Sequence, residues 1–253
     1  MAPVATPALV LATLRYGDTS KIVRLATRDL GVQSAIAKGA LRPRSRFGAA
    51  LQVLSEGTAQ LYLKEGRELQ TLGAFDLTRL RVELAGDLPR YAAANALAEV
   101  MLRCGAPVAQ PEAYDALRDA LDALTLAPGD AVDVIALRML WRLVGVLGFA
   151  PALDHCAKCG APLSLAAGVA FSPRDGGALC ARDATGLPVS RLGPEDAADL
   201  RRLVTGVGEL HPLEPKHAAA HRRLLARWVR EHLGEGAPLP ALEYWQDPAR
   251  ETA

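Results

Sequence analysis

Several signatures of known enzyme classes are missing from this chain of 253 residues. It contains neither G-x-G-x-x-G nor G-x-x-x-x-G-K-[ST], the two glycine-rich phosphate-binding loops, and no G-x-S-x-G around a serine nucleophile. No pair of carboxylates stands out as a general acid and base. These absences predict that the protein is not an enzyme and has no small-molecule substrate.

Long uncharged hydrophobic runs are also missing. The most apolar segment, residues 131–150, carries three charges at Asp133, Arg138 and Arg142, which argues against a membrane span. The apolar run near the N-terminus has no basic stretch before it, which argues against a signal peptide. We therefore expect a soluble, cytoplasmic protein without a membrane partner.

Cysteine is scarce, since the chain has only four, and three of them are clustered. This pattern favours a reducing compartment and a metal knuckle over a disulfide framework. Cys156 and Cys159 form a C-x2-C pair, Cys180 follows, and Asp183 occupies the fourth position of the ribbon pattern. Two thiolates on one turn bind a single metal ion, and a second turn completes the tetrahedron.

A carboxylate oxygen is an accepted zinc ligand, so we predict a structural zinc site formed by Cys156, Cys159, Cys180 and Asp183. The residues leave two alternatives open. The fourth ligand is a histidine, from the candidates His155, His217 and His221, or the knuckle has lost its metal and is held by packing alone.

The net charge of +1 gives no sign of a nucleic-acid partner, but its distribution does. Residues 1–80 carry 11 basic and 6 acidic side chains, and residues 1–48 carry 8 and 2. This asymmetry indicates a polyanionic partner for the N-terminal region.

Short β-rich runs fill this basic region, separated by turn residues. They cover residues 7–16, 21–27, 31–40, 58–63 and 68–77. Five short strands predict a small barrel of the OB type, although an SH3-like barrel or an open meander fits the pattern nearly as well. From about residue 80 helical periodicity takes over. The predicted fold class is α+β, with an OB-fold domain at 1–79, a helical domain at 80–150 and 188–253, and an inserted zinc-knuckle-like module at 151–187.

The loop after the third predicted strand is strongly basic. Gly39 and Pro43 exclude a regular helix there. We predict an extended arm whose cations follow a phosphate backbone and whose Phe47 offers a stacking face. The alternative is a solvated loop without a ligand. The predicted DNA-binding residues are Lys38, Arg42, Arg44 and Arg46 in the loop, with Lys21 and Arg24 on the second strand.

The order of these modules resembles the RecO family of bacterial recombination mediators. The resemblance is based on the stretches AIAKGALRPRSRFGAAL, LVGVLGFAPALDHCAKCG with its partner GGALC, and APLPALEYW, and it covers nearly the whole chain. Asp183 departs from the four-cysteine version of the family's knuckle.

This resemblance implies a nucleoid-associated DNA repair protein that is not an enzyme. Such a protein binds single- and double-stranded DNA, anneals complementary strands, and works with RecR to load RecA. It also contacts the acidic C-terminal tail of the single-strand-binding protein, here through the cationic ridge of Arg138 and Arg142. Two other hypotheses are a zinc-ribbon scaffold of transcription or translation that binds structured RNA, and a dithiol redox enzyme that uses Cys156 and Cys159.

Overall fold

The computed structural model of the chain describes residues 3–233 and 238–247. The chain divides into two compact units, Met1–Thr125 and Leu126–Ala253. A closed five-stranded barrel followed by helices confirms the predicted α+β class. The finer division into domains at 1–79, at 80–150 with 188–253, and at 151–187 stays a prediction. Residues 1–2, 234–237 and 248–253 of those domains lie outside the described residues.

The barrel has the strand order β1-β2-β3-β5-β4, and β4 returns to pair with β1. β3 and β5 are parallel, while the other neighbours are antiparallel, as in an OB-type barrel. The strands are β1 (Val4–Tyr16), β2 (Ser20–Thr27), β3 (Gly31–Ala37), β4 (Glu56–Tyr62) and β5 (Leu69–Arg79).

Alternation along the strands fills the barrel interior. Val23 and Leu25 of β2 and Ala35 of β3 point into the barrel, whereas the residues directly before and after each of them face outward. The long connection from β3 to β4 contributes Phe47 and Leu51 to the same core. This connection is therefore anchored to the barrel by apolar side chains.

Three helices complete the first unit: α1 (Val82–Ala85), α2 (Leu88–Cys104) and α3 (Pro111–Leu126). α2 begins where the Asp87 carboxylate accepts a hydrogen bond of 3.0 Å from the backbone N–H of Arg90. α2 packs against β1 and β2. The fully buried guanidinium of Arg81 donates to Glu56 at 2.6 Å and to Asp122 at 2.7 Å, which joins the barrel to α3.

The second unit combines helices with a small sheet of order β7-β6-β8. Its core includes Trp141 and Trp228, whose ring centroids lie 5.8 Å apart. Among the described residues, no helix combines the length and the hydrophobicity needed to cross a membrane. The elements are a 3-10 turn (Gly129–Ala131), α4 (Val132–Val144), a π-helical turn (Gly145–Phe149), β6 (Val169–Ser172), β7 (Gly177–Leu179), β8 (Ser190–Leu192), α5 (Pro194–Thr205), α6 (Pro215–Leu233) and α7 (Pro240–Gln246).

Candidate metal centre and nucleic-acid interface

Two tight turns of the second unit bring the predicted metal ligands together. In the first turn the backbone N–H of Gly160 donates to the carbonyl of Cys156 at 2.8 Å. Gly160 has φ +72°, a left-handed conformation that glycine adopts without strain. In the second turn the N–H of Ala184 donates to the carbonyl of Cys180 at 3.0 Å. Each turn therefore presents two ligands on one side.

The ligand atoms of Cys156, Cys159, Cys180 and Asp183 all lie within 4.8 Å of one another. The Sγ atoms of Cys159 and Cys180 are 3.9 Å apart, and Cys156 Sγ is 3.3 Å from Asp183 Oδ2. A tetrahedral ion with metal–sulfur bonds of about 2.3 Å requires sulfur–sulfur distances of about 3.8 Å. The four residues therefore fit a metal ion, and they supply a complete tetrahedral ligand set.

The charges around the cluster also suit a cation. Burial alone would raise the pKa of the Cys156 thiol, but backbone N–H groups of Cys159, Cys180 and Lys158 point at its sulfur and lower the pKa. The Cys159 thiol donates to Asp183, which raises the pKa of Cys159 to about 11. Hydrogen bonds from Cys159 and from Arg182 hold the pKa of Asp183 far below its usual range.

The two carboxylate oxygens of Asp183 face different partners, one inside the cluster and one outside it. Oδ2 faces Cys156, while Oδ1 accepts a hydrogen bond of 3.1 Å from Arg182 Nε. Such outer contacts orient a ligand toward a metal. Two of the three candidate histidines contact other partners: His155 Nδ1 lies 2.5 Å from Asp154, and His217 Nδ1 lies 2.6 Å from Asp196. The third, His221, is buried, and its ring nitrogens have no hydrogen-bond partner among the described atoms. Within the described residues, the potential metal group contains no histidine.

The basic loop of the first unit is built from consecutive turns, so the predicted extended arm is wrong. The N–H of Arg42 donates to Gly39 O, that of Ser45 to Arg42 O, and that of Gly48 to Ser45 O. Polar turns alternate with buried anchors, and this arrangement presents the charged side chains outward. The loop cations Lys38, Arg42, Arg44 and Arg46 are all exposed.

Most of the loop cations have no hydrogen-bond or ion-pair partner among the described residues. Among residues 3–233 and 238–247, the side chains of Lys38, Arg42 and Arg44 have no hydrogen-bond or ion-pair partner. The guanidinium carbon of Arg46 lies 5.1 Å from the centroid of the Phe47 ring. The charge of the loop is therefore available to an external anion.

The two predicted strand cations differ from the loop. Lys21 Nζ donates to the carbonyl of Leu51 at 3.3 Å and so secures the β3–β4 connection. Arg24 is half-buried on the outer face of β2, and its Nε is buried without a hydrogen-bond partner among the described atoms. Their assignment to DNA binding stays a prediction.

Phe47 does not offer a stacking face, because its side chain is only 2% exposed and belongs to the barrel core. The ring lies in the predicted loop, but it points inward instead of toward solvent. An aromatic residue among cations fits two structural roles: it is a stacking platform for bases or an apolar anchor in the core. Phe47 takes the second role, since its ring lies in the barrel interior.

Models of known families match nearly the whole chain. The model described as Recombination protein O N terminal matches residues 1–81, and the model described as Recombination protein O C terminal matches residues 85–243. The chain belongs to the recombination protein O family. Relatives of this family are similar over most of their length, and each is named DNA repair protein RecO.

Three of these relatives illustrate the extent of the similarity. The relative from Anaeromyxobacter sp. (strain K) is 34% identical over 233 residues, which cover 89% of this chain and 90% of the relative. The one from Nocardioides sp. is 34% identical over 90% of this chain and 94% of its own. The one from Rubrobacter xylanophilus is 34% identical over 94% of both. The similarity to the RecO family therefore extends over both compact units of the chain.

Arg138 and Arg142, the cations that the RecO resemblance implies for a partner's tail, both lie on α4. Arg138 donates to the carbonyl of Gly206, the residue that ends α5 in a left-handed conformation. A cation at this end of a helix complements its dipole. Arg142 is exposed. Arg138 thus has a structural contact of its own, and the binding of a partner's tail here stays a prediction.

Sequence reasoning missed the exposed apolar residues at the end of β1. Leu14 is 61% exposed and Tyr16 is 52% exposed, although both lie in a strand of a packed barrel. The alternation of β1 could have revealed these residues. Leu14 and Tyr16 fall at outward-facing positions, and such positions on a barrel strand are normally polar unless another element covers them.

Proposed function

We propose that this chain is a mediator of DNA repair and homologous recombination that binds single- and double-stranded DNA and anneals complementary strands. The observation that carries the proposal is the basic loop, whose exposed cations Lys38, Arg42 and Arg44 have no partner among the described residues. Membership of the RecO family supports it. The DNA partner would place the protein at the nucleoid.

The proposed annealing requires no covalent step. Two strands repel each other through their phosphates, and cations that neutralise the phosphates release counterions and allow the strands to approach. Turns that project their side chains outward let Arg42 and Arg44 reach two strands. We therefore propose that the protein is not an enzyme and has neither a catalytic residue nor a small-molecule substrate.

We further propose that the protein works with RecR to load RecA onto DNA that is coated by the single-strand-binding protein. Arg138 and Arg142 are the proposed contacts for the acidic C-terminal tail of the latter. Arg142 is exposed at the last turn of α4, one turn beyond Arg138, so the two side chains lie on the same face of the helix.

Zinc is the proposed ion of the metal centre, because three thiolates and one carboxylate in a tetrahedron suit zinc better than calcium or magnesium. Cys156, Cys159, Cys180 and Asp183 would hold it. When bound it would supply structural cross-linking of two turns, since four protein ligands leave no open position for chemistry.

Strand annealing tests the proposed function. Two complementary oligonucleotides coated with the single-strand-binding protein are mixed with the chain, and duplex formation is followed by fluorescence at low and physiological salt. We expect acceleration that is lost when Lys38, Arg42, Arg44 and Arg46 are changed to glutamine. No acceleration at either salt, from protein with a native circular-dichroism spectrum, would contradict the proposal, and tight binding of folded RNA in the same sample would favour an RNA scaffold instead.

A further inference from the structure

A cavity of about 350 Å³ lies within the second unit, between β8, α5 and α6. None of the four predicted metal ligands lines it. Its described walls contain three arginines, Arg191 of β8 and Arg223 and Arg227 of α6, and one acidic residue, Asp196 of α5. With histidine neutral, the charged groups around the cavity therefore have a net charge of +2.

The positive charge of these arginines is not balanced by carboxylates. Among residues 3–233 and 238–247, the guanidinium groups of Arg191 and Arg223 have neither a hydrogen bond nor an ion pair. Arg227 Nη2 donates to Ser190 Oγ at 3.0 Å, and a neutral hydroxyl leaves the charge of Arg227 uncompensated. Each guanidinium has five N–H donors, so most of the donors around the cavity are available to a ligand.

The wall of the cavity also contains a buried histidine without a partner. His221 is 2% exposed, and neither of its ring nitrogens has a hydrogen-bond partner among the described atoms. Its Nε2 lies 3.8 Å from Asp196 Oδ1, which is too far for a hydrogen bond, and this oxygen lies 2.6 Å from His217 Nδ1. A buried polar group without a hydrogen bond costs free energy, which a ligand in the cavity would recover.

A phosphoryl group matches this arrangement better than a carboxylate does. Guanidinium groups bind both kinds of anion through paired N–H donors. A phosphate monoester has three terminal oxygens and a charge of about −2 at neutral pH, whereas a carboxylate has two oxygens and a single charge. The charge of the monoester balances that of the cavity, and its third oxygen accepts from a donor that a carboxylate would leave without a partner.

We propose that this cavity binds a small phosphorylated molecule, whose phosphoryl group contacts Arg191, Arg223 and Arg227 and accepts a hydrogen bond from the ring of His221. The volume favours a small molecule over a polymer, because it lies near the lower limit of ligand pockets, which is about 300 Å³. The basic loop belongs to the first unit, so this inference does not depend on the proposed DNA binding. The free ion and a phosphate ester share the required chemistry, and the experiment distinguishes them.

Isothermal titration calorimetry of the full chain with inorganic phosphate, adenosine monophosphate and adenosine tests this inference. The double variant Arg191→Gln, Arg223→Gln removes two charges from the cavity, and we expect it to fold because both side chains are exposed. Arg174→Gln with Arg201→Gln is the matched control. Both of these arginines are exposed in the same unit, and neither lines the cavity.

We expect adenosine monophosphate to bind the unmodified chain and the control equally, and to bind the cavity variant about tenfold or more weakly, because each lost guanidinium removes charge-assisted hydrogen bonds. Adenosine should not bind. Tighter binding of adenosine monophosphate than of phosphate would identify an ester as the ligand, and equal binding would identify the free ion. Equal affinity of the cavity variant and the control, or no binding of either phosphate compound, would overturn the inference.

A second measurement follows His221 in the unmodified chain. Burial lowers the pKa of His221, the Asp196 and Asp199 carboxylates partly offset this effect, and the charge of His217 lowers the pKa further. A dianion in the cavity should raise the pKa, because negative charge favours the protonated ring. Imidazole NMR spectra recorded over a pH series should therefore show a higher midpoint for His221 at saturating phosphate, with no change at the exposed His211.

Two results of these measurements would contradict the inference even if phosphate compounds bind. An unchanged midpoint of His221 at saturating phosphate would show that the phosphoryl group lies elsewhere. Displacement of adenosine monophosphate by oligothymidine without a terminal phosphate would assign the cavity to a nucleic-acid backbone instead of a small molecule.

Discussion

The two candidate sites of this molecule orient their polar groups in opposite ways. In the metal centre, the thiols of Cys156 and Cys159 and the carboxylate of Asp183 face one another, and Arg182 supports them from outside. In the basic loop, the side chains of Arg42 and Arg44 face solvent. Groups that satisfy one another stabilise the fold, whereas groups that lack a partner in the chain have binding capacity left for a ligand.

The same distinction applies to α6, which contains as many arginines as the loop contains cations. Arg222 donates to Asp133 at 2.6 Å, Arg227 to Ser190 Oγ at 3.0 Å, and Arg230 to Gln246 at 3.0 Å. These side chains have partners within the second unit. The fourth arginine of α6, Arg223, has no partner among the described residues. The number of cations on a segment therefore does not by itself identify an interface, and the share of cations that lack internal partners distinguishes the loop from α6.

The largest expected effect comes from the metal centre. Cys156→Ser removes a ligand that is buried and that accepts a backbone hydrogen bond from Cys180. We expect the free energy of unfolding of the second unit to fall by about 3 kcal/mol or more, because metal binding is coupled to folding. Tryptophan fluorescence reports on this unit, since Trp141, Trp228 and Trp245 all lie within it. A chelator should lower the unfolding midpoint of the unmodified chain similarly.

Cys104→Ala is the matched control for this change. Cys104 lies in the first unit, where burial raises the pKa of its thiol to about 12, and it has no place in the metal group. Its substitution should leave the tryptophan-monitored transition unchanged. If Cys156→Ser left that transition unchanged too, or removed DNA binding while the fold stayed intact, the assignment of the metal centre to stability alone would be contradicted.

A smaller effect, on binding rather than stability, is expected from the loop. Reversing charge with Arg42→Glu and Arg44→Glu should weaken DNA binding roughly 100-fold at physiological salt, to a similar extent for all sequences. The salt slope should fall by about 0.7–0.9 for each phosphate that the variant no longer neutralises. Arg227→Glu with Arg230→Glu on α6 changes the net charge equally, and we expect it to have far less influence. Full affinity of the loop variant at low salt would contradict the loop assignment.

The sequence predicted those features that depend on local periodicity and spacing. The five barrel strands were correct because their alternation matches a half-buried sheet. The clustering of Cys156, Cys159, Cys180 and Asp183 was also correct, because C-x2-C spacing places two sulfurs on one turn. The apolar pattern predicts a helix over residues 131–147, but α4 ends at Val144, because the π-helical turn from Gly145 to Phe149, with Gly148 at φ +94°, replaces its last turn.

Features that depend on the tertiary structure were not accessible from the sequence. The burial of Phe47 depends on its packing with residues of several strands in the barrel core, and no local pattern reveals that packing. β8 was missed because three residues are too few for a periodic signal, and it forms only by pairing with β6. The exposure of Tyr16 depends on how far α2 extends over the barrel.

The smallest expected effect concerns the pair His217 and Asp196, which resembles the metal centre in that its groups face each other. The hydrogen bond that His217 Nδ1 donates to the Asp196 carboxylate raises the pKa of His217 above its ordinary value. A raised pKa stabilises the folded state fully at pH values below about 6.5, and this stabilisation is lost as the pH rises through the folded pKa. His217→Gln should therefore lower the urea midpoint of the second unit at pH 5.5 and have little effect at pH 8.5.

The neighbouring His221 must be controlled for, because its Nε2 lies 3.8 Å from the same Asp196 carboxylate. Burial lowers the pKa of His221 and the charge of His217 lowers it further, so the effect of His217→Gln is measured a second time in a His221→Gln background, where we expect the same dependence on pH. A midpoint difference that is constant from pH 5.5 to 8.5 would show that His217 acts by packing rather than by its charge. We also expect His217→Gln to leave the DNA affinity unchanged. His217 has its partner within the fold, so, like the metal-centre residues, it contributes to stability, whereas the loop cations contribute to binding.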